Sequence, residues 1–168
     1  TPLIIQKIQK IQSYQAKGQI GYISPTERFS SRFEWQYQNP KSYTLKLYSL
    51  ISKSTLWIQM HQSGMTISDN NGNQQSAADA KLLLQEIIGM DVPLEHLAYW
   101  LKGQPAINAD YQVGNNHLLG AFTYHVDGSQ WTADYLTYHS NNSMPENILL
   151  KNDSTKQTLK IRVDEWIY

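Results

Sequence analysis

Within residues 76–103 two short amphipathic segments interrupt a chain otherwise patterned as strands, and this interruption limits the fold more than any other feature. Ala80, Leu83, Leu84, Ile87 and Ile88 follow the i, i+3, i+4, i+7, i+8 spacing that gathers side chains into one stripe of a 3.6-residue helix, and Gly89 ends the run. A second segment opens at Pro93, a residue suited to a first helical position. It aligns Leu94, Leu97, Ala98 and Leu101 and ends at Gly103. Two apolar helical faces need a partner surface, and the flanking sequence offers a sheet.

The clearest strand places Phe29, Ser31, Phe33, Trp35 and Tyr37 on one face and Arg28, Ser30, Arg32, Glu34 and Gln36 on the other. Before it, residues 14–23 alternate, with Gly18 and Gly21 marking a bulge, a bend or the close approach of another backbone. After it come Tyr43, Leu45 and Leu47, then Leu56, Ile58 and Met60, separated by turn residues such as Asn39-Pro40 and Gly64. Beyond the helices, a short strand near Tyr111 precedes strands over 118–126 and 130–138, joined at Asp127-Gly128, and further strands over 148–151 and 159–163. Residues 2–13, with Ile4, Ile8 and Ile11 at helical spacing, read as an entering helix.

About eleven antiparallel strands form a sheet that curls, and its apolar face must be closed off, packed on another sheet, or covered. A barrel filled by its own side chains would leave three helical faces without a partner. The expected fold is therefore mainly β: an incompletely closed antiparallel β-barrel with a helical lid, in a single domain over residues 1–168, with residues 76–103 as the lid segment. The space beneath that lid is the candidate site.

Composition removes several functions. Fourteen Lys plus Arg balance fourteen Asp plus Glu, and no basic cluster lies beside stacking aromatics, so nucleic acid is not an expected partner. The absence of cysteine removes disulfides, thiol nucleophiles and cysteine-ligated zinc. His61, His96 and His139 fall in no zinc-ligand spacing. His117 and His125 are expected on one face of the same strand, roughly 26 Å apart, too far to share a metal. Asp134, Glu146, Asp153, Asp164 and Glu165 fall at strand edges, outward positions or turns. No catalytic residue, metal or cofactor is expected, and the chain reads as a non-enzyme. No charged segment leading into an apolar run opens the sequence, so a signal peptide is expected to have been removed or never present.

Several segments, in this order and spacing, carry a resemblance: Tyr14-Gln15-Ala16-Lys17-Gly18 leading into Gly21-Tyr22-Ile23-Ser24, Arg32-Phe33-Glu34-Trp35-Gln36, Gly89-Met90-Asp91-Val92-Pro93-Leu94, Trp100-Leu101-Lys102-Gly103, and Asp164-Glu165-Trp166-Ile167. Over nearly all its length the chain resembles the LolB family of outer-membrane lipoprotein receptors, relatives of the periplasmic lipoprotein carrier LolA. The resemblance implies an unclosed barrel whose hydrophobic cavity takes the acyl chains of lipoprotein cargo from LolA and passes them to outer-membrane lipid, without covalent chemistry. It also implies a monomer at the periplasmic face of the outer membrane, held by an acylated N-terminal Cys that this sequence does not contain.

On that reading the acyl-chain cavity draws on Phe29, Phe33, Trp35, Leu45, Leu47, Leu56, Ile58, Leu118, Phe122, Tyr124 and Trp131, and the lid on Leu83, Leu84, Ile87, Ile88, Leu94, Leu97 and Leu101. A plain packed core and a fixed roof are the competing readings of these two sets. The family also has a protruding loop whose exposed leucine helps place cargo in the membrane. Residues 49–54 occupy the matching place, with Ile51 at the leucine position and Leu50 where the family has proline. Leu50 and Ile51 are the expected membrane-touching pair, with ordinary burial as the alternative. A stand-alone lipid or fatty-acid binder is the alternative to the receptor as a whole.

Overall fold

The computed structural model describes residues 8, 10–49, 53–77, 93–105, 109–126 and 128–168. Eleven strands form one antiparallel sheet: β1 (Tyr14–Ile23), β2 (Arg28–Asn39), β3 (Ser42–Tyr48), β4 (Thr55–His61), β5 (Gly64–Asp69), β6 (Gln74–Ala77), β7 (Asp110–Val113), β8 (Leu119–Val126), β9 (Ser129–Tyr138), β10 (Pro145–Asn152) and β11 (Gln157–Ile167). Helix α1 (Leu94–Trp100) lies between β6 and β7 in the chain. The spatial order is β6-β5-β4-β3-β2-β1-β11-β10-β9-β8-β7. The first and last strands thus pair at the centre, and β6 and β7 are the edges. The chain leaves one edge of the open sheet, passes through α1, and re-enters at the other.

Alternation decides which face is dry. In β1, Tyr14, Ala16, Ile20 and Tyr22 are buried; Phe33, Trp35 and Tyr37 of β2 and Leu159, Ile161 and Val163 of β11 carry the same face outward from the centre. The opposite face holds the cross-strand chain Lys17–Glu34–Lys46, with contacts of 3.6 and 3.3 Å. Such exposed ion pairs add little, on the order of 0–1 kcal/mol each. The two edge strands are only four residues long, which limits the unpaired backbone available for unwanted pairing.

Buried residues of α1, namely Leu94, Leu97, Ala98 and Trp100, belong to the same cluster as the inward residues of the sheet. The helix touches β1 through Tyr14 and β8 and β9 through Phe122 and Trp131. Strands β1 and β8 are four places apart in the sheet, about 19 Å across at 4.8 Å per strand, so one short helix can reach both only if the sheet curls around it.

Gly18 marks a close approach between the two central strands. The pairing of β1 with β11 shifts register between Lys17 and Gly18, and a Cβ on Gly18 would stand 1.8 Å from the carbonyl oxygen of Arg162. Gly21 differs: a Cβ there meets nothing within 4 Å. Of the bulge, bend or close approach expected around these glycines, the register shift and the close approach both fall at Gly18.

Three local expectations shift. Ser76 belongs to β6 and not to a helix, because Thr66 and Ser76 pair across the strands and their hydroxyls lie 2.9 Å apart. Pro93 occupies the N-cap, one place earlier than expected, and its carbonyl accepts from the backbone of His96 and Leu97. His117 sits in the turn before β8 at φ 63°, so it does not share a strand with His125. Of the expected entering helix, Ile8 is helical and buried and Ile11 packs against the core, while Ile4 lies outside the described residues.

The glycine contrast gives a direct prediction. Gly18→Ala should destabilise the fold by about 3 kcal/mol or more through overpacking against rigid backbone. Gly21→Ala should be neutral or stabilise by up to about 1 kcal/mol. Urea denaturation of both variants beside the parent chain checks the pair.

Candidate functional site: the concave face beneath α1

The concave face is walled by rings whose polar tips are turned into structural bonds. Trp35 Nε1 donates to the Tyr14 hydroxyl at 3.0 Å, and Tyr14 donates in turn to the carbonyl of Ala98 in α1. From the other side Tyr135 donates to the carbonyl of Trp100. Tyr138 donates to the Leu119 carbonyl at 2.6 Å, and Trp166 Nε1 to the Pro145 carbonyl at 2.8 Å. Burial pushes the phenols of Tyr14 and Tyr135 far above their ordinary range, which keeps them protonated as donors.

Those bonds answer a specific need of α1. The last carbonyls of a helix have no partner within it. Here Leu97 accepts from Leu101, Tyr99 from Gln104, Trp100 from Gly103 and Tyr135, and Ala98 from Tyr14. Gly103, at φ 84°, supplies the left-handed turn that lets the chain fold back on the helix end. The C-terminal end of α1 is therefore bound to β1 and to β9 simultaneously. Losing either tyrosine hydroxyl would leave a buried carbonyl less satisfied, at a cost of about 1–3 kcal/mol.

Trp100 is the centre of the ring cluster. Its centroid is 5.5 Å from Phe122, 5.9 Å from Trp131 and 6.5 Å from Tyr124, and His96 stacks on it at 5.6 Å. Its indole N–H is buried and has no hydrogen-bond partner among the described residues. Opposite it, Trp35 lies 5.1 Å from Tyr43 and 5.9 Å from Tyr37.

The sequence-predicted residues fall into two walls. Phe33, Trp35, Leu45, Leu47 and Ile58 are buried on β2–β4, with Phe29 and Leu56 partly buried beside them. Phe122 and Trp131 are buried on β8 and β9, with Tyr124 partly buried. Leu118 precedes β8 and is buried outside the main cluster; its neighbour Leu119 joins the cluster instead. Leu94 and Leu97 of α1 and Leu101 after it are buried against the sheet. Leu83, Leu84, Ile87 and Ile88 lie outside the described residues, as do Leu50 and Ile51. The flanks of residues 50–52 are described: Ser49 N–H donates to the Ser54 carbonyl, and Asn70 Nδ2 donates to the Lys53 carbonyl at 3.2 Å.

Lys102 was not singled out by its chemistry in the sequence. Its Nζ donates to the carbonyls of Ile8 and Ile11 and stands 5.7 Å from the Tyr99 ring centroid, fastening the N-terminal turn to the end of α1. Desolvation pulls its pKa down to about 8. The residue alone in a Trp-Leu-Lys-Gly string looks like any surface cation; only the fold brings two carbonyls to it. Among the described residues no group of three or more His, Cys, Asp or Glu is placed to hold a metal ion, and His139 instead donates from Nε2 to the Val163 carbonyl at 2.7 Å.

An open antiparallel sheet curled around one apolar helix is a fold shared with solved proteins. A solved LolA-superfamily protein from Nitrosomonas europaea superposes with a TM-score of 0.62 at 12% identity, covering 99% of this chain and 93% of that one. A domain from Vibrio parahaemolyticus named as a putative outer membrane lipoprotein-sorting protein superposes with a TM-score of 0.51, at 7% identity over 98% of this chain and 91% of that one. Sequence narrows the class. The family model for outer membrane lipoprotein LolB matches residues 12–166, and the chain belongs to that family. It is 98% identical over 164 residues to the outer-membrane lipoprotein LolB of Haemophilus influenzae strain PittGG, covering 98% of this chain and 80% of that protein. It is 53% identical over 165 residues to that of Pasteurella multocida, covering 98% and 79%. Membership places the chain in lipoprotein localisation at the outer membrane.

The lowered pKa of Lys102 predicts a pH signature with a definite sign. Below about 8 the ammonium is protonated in both folded and unfolded chains. Between about 8 and the 10.5 of an exposed lysine, only the unfolded chain still holds the proton, so this residue makes stability rise with pH across that window. Chemical denaturation of the parent and Lys102→Met at pH 7.5 and 9.5 should show the parent gaining stability relative to the variant; an equal response in both would contradict the assignment.

Proposed function

We propose that the concave face beneath α1 receives the acyl chains of lipoproteins from a periplasmic carrier of the LolA type and releases them to the lipid of the outer membrane. The observation that carries this reading is the pairing of two apolar ring walls with a separate helical cover, in a sheet that remains open at β6 and β7. Each methylene moved from water onto such walls contributes about 0.8 kcal/mol, and the attraction is undirected, so cargoes that share only their lipid modification are accepted alike.

Transfer then needs no nucleotide at the receptor. Cargo moves if its acyl chains are held more favourably here than in the carrier. The unpartnered indole N–H of Trp100 gives the site one buried donor, suited to an acyl ester carbonyl. Leu94, Leu97 and Leu101 form the described part of the cover. Leu83, Leu84, Ile87 and Ile88 complete it, and Leu50 and Ile51 touch the membrane transiently, since a short apolar pair is too weak for stable anchoring. The chain works as a monomer bound to the periplasmic face by an N-terminal lipid.

Titrating the carrier loaded with an acylated lipoprotein against this protein, without nucleotide, should move most of the cargo onto it. Trp100→Phe should bind the carrier normally and retain less cargo. Cargo remaining with the carrier at equilibrium would sink the proposal.

A further inference from the structure

The polar tips of Trp35, Tyr14, Tyr135, Tyr138 and Trp166 are all taken up by structural hydrogen bonds. Two rings on α1 depart from this pattern. Trp100 is fully buried, and its indole N–H has no partner among the described residues. His96, one turn earlier, is half-buried, and its imidazole makes no hydrogen bond or ion pair among the described residues. The two rings stack with 20° between their planes, and His96 also lies 5.4 Å from Tyr124. We propose, on the acyl-chain reading of this face, that His96 is a specificity-determining residue: with Trp100 it grips the carbonyl at the head of an apolar chain and selects acyl esters over ether or hydrocarbon chains of equal length.

The selection follows from what each ring offers. An indole N–H only donates, and a neutral imidazole donates from one nitrogen and accepts at the other. A buried donor without a partner carries a desolvation cost that an incoming acceptor removes. A carbonyl oxygen has two lone pairs, enough for both rings. An oxygen about 2.9 Å from each of two donors bridges nitrogens up to about 5.8 Å apart, and the centroids of the two rings are separated by 5.6 Å. A methylene chain brings no acceptor at all, and an ether oxygen, flanked by carbon on both sides, is a weaker one.

Burial sets the direction in which such a chain lies. Around Trp100 the wall is closed by Phe122 and Trp131, 5.5 and 5.9 Å away. His96 is the more exposed of the pair and faces the partly buried Tyr124. Beyond β8 the edge strand β7 places Tyr111 opposite Phe122, so the same face of the sheet runs on to a residue that is 39% exposed. The wall grades from dry at Trp100 to wet at His96 and the β7 edge. An acyl ester matches that gradient with its chain on the ring wall and its head at His96; the reverse placement would press the polar head onto Phe122 and Trp131. A histidine that merely filled space against Trp100 would need its ring and neither nitrogen, and two substitutions separate those roles.

The test is displacement of bound N-phenylnaphthylamine by monopalmitoylglycerol and by its ether analogue hexadecylglycerol, which have matched chains with and without the carbonyl. The parent should hold the ester about tenfold tighter than the ether. His96→Phe keeps a stacking ring and removes both nitrogens; it should lose this preference, with the loss falling on the ester. His96→Gln keeps a donor without a ring and should retain most of the preference. In the parent, the indole proton resonance of Trp100 should move downfield with the ester and not with the ether, a readout that needs no variant to fold. Equal affinity for ester and ether, an unmoved Trp100 proton, or full preference in His96→Phe would overturn the proposal and leave the acyl-chain site standing. Failure of the parent to bind the probe or either lipid would overturn the acyl-chain reading and this inference with it.

Discussion

A sheet with one apolar face must hide that face, and this sheet has β6 and β7 as open edges, so concealment depends on how α1 is held. Burial alone does not fix a seven-residue helix in place, because hydrophobic attraction has no direction. Direction comes from two phenols. Tyr14 and Tyr135 reach from β1 and β9 to the carbonyls of Ala98 and Trp100, and Gly103 turns the chain so that the remaining carbonyls are also met. The rings that provide these hydroxyls also line the wall, so the same side chains position the cover and form part of what it covers.

The two faces of the sheet do different work because alternation separates them. Inward, Trp35, Trp100 and Trp131 dominate a surface suited to hydrocarbon. Outward, Lys17, Glu34, Lys46 and a groove around Gly21 make a polar surface with local relief. At Gly18 the β1–β11 pairing shifts register, and the absence of a side chain lets the Arg162 backbone come closer than a Cβ would allow. Lys102 ties the N-terminal turn to α1, joining the cover to the segment on the membrane-anchor side of the proposed arrangement.

Much of this is legible in one dimension. Period-two alternation in Phe33, Trp35 and Tyr37 states which side chains are buried before any coordinates exist, and the i, i+3, i+4 stripe of Leu94, Leu97 and Ala98 does the same for α1. The sheet order is harder to read, since the β1–β11 pairing joins opposite ends of the chain and local pattern carries no information about it. Tyr14 and Tyr135 look like ordinary inward aromatics in sequence; their roles as helix clamps depend on contacts across 84 and 35 residues. Leu118 illustrates the finer limit: two adjacent leucines satisfy the same pattern, and the turn at His117 determines that Leu119 enters the cluster. In sequence Ser76 adjoins the helical segment, whereas its pairing with Thr66 holds it in the sheet.

The central claim, that hydrocarbon lies against the rings beneath α1, is tested most directly by tryptophan emission in Trp57→Phe, which removes the tryptophan of β4 that points outward beside Lys46. A lipoprotein acylated with brominated chains, delivered by its carrier, should quench the remaining tryptophans strongly, and the same cargo with unbrominated chains should not. Stable cargo binding with no quenching by the brominated chains would show that the acyl groups lie elsewhere and would contradict the account.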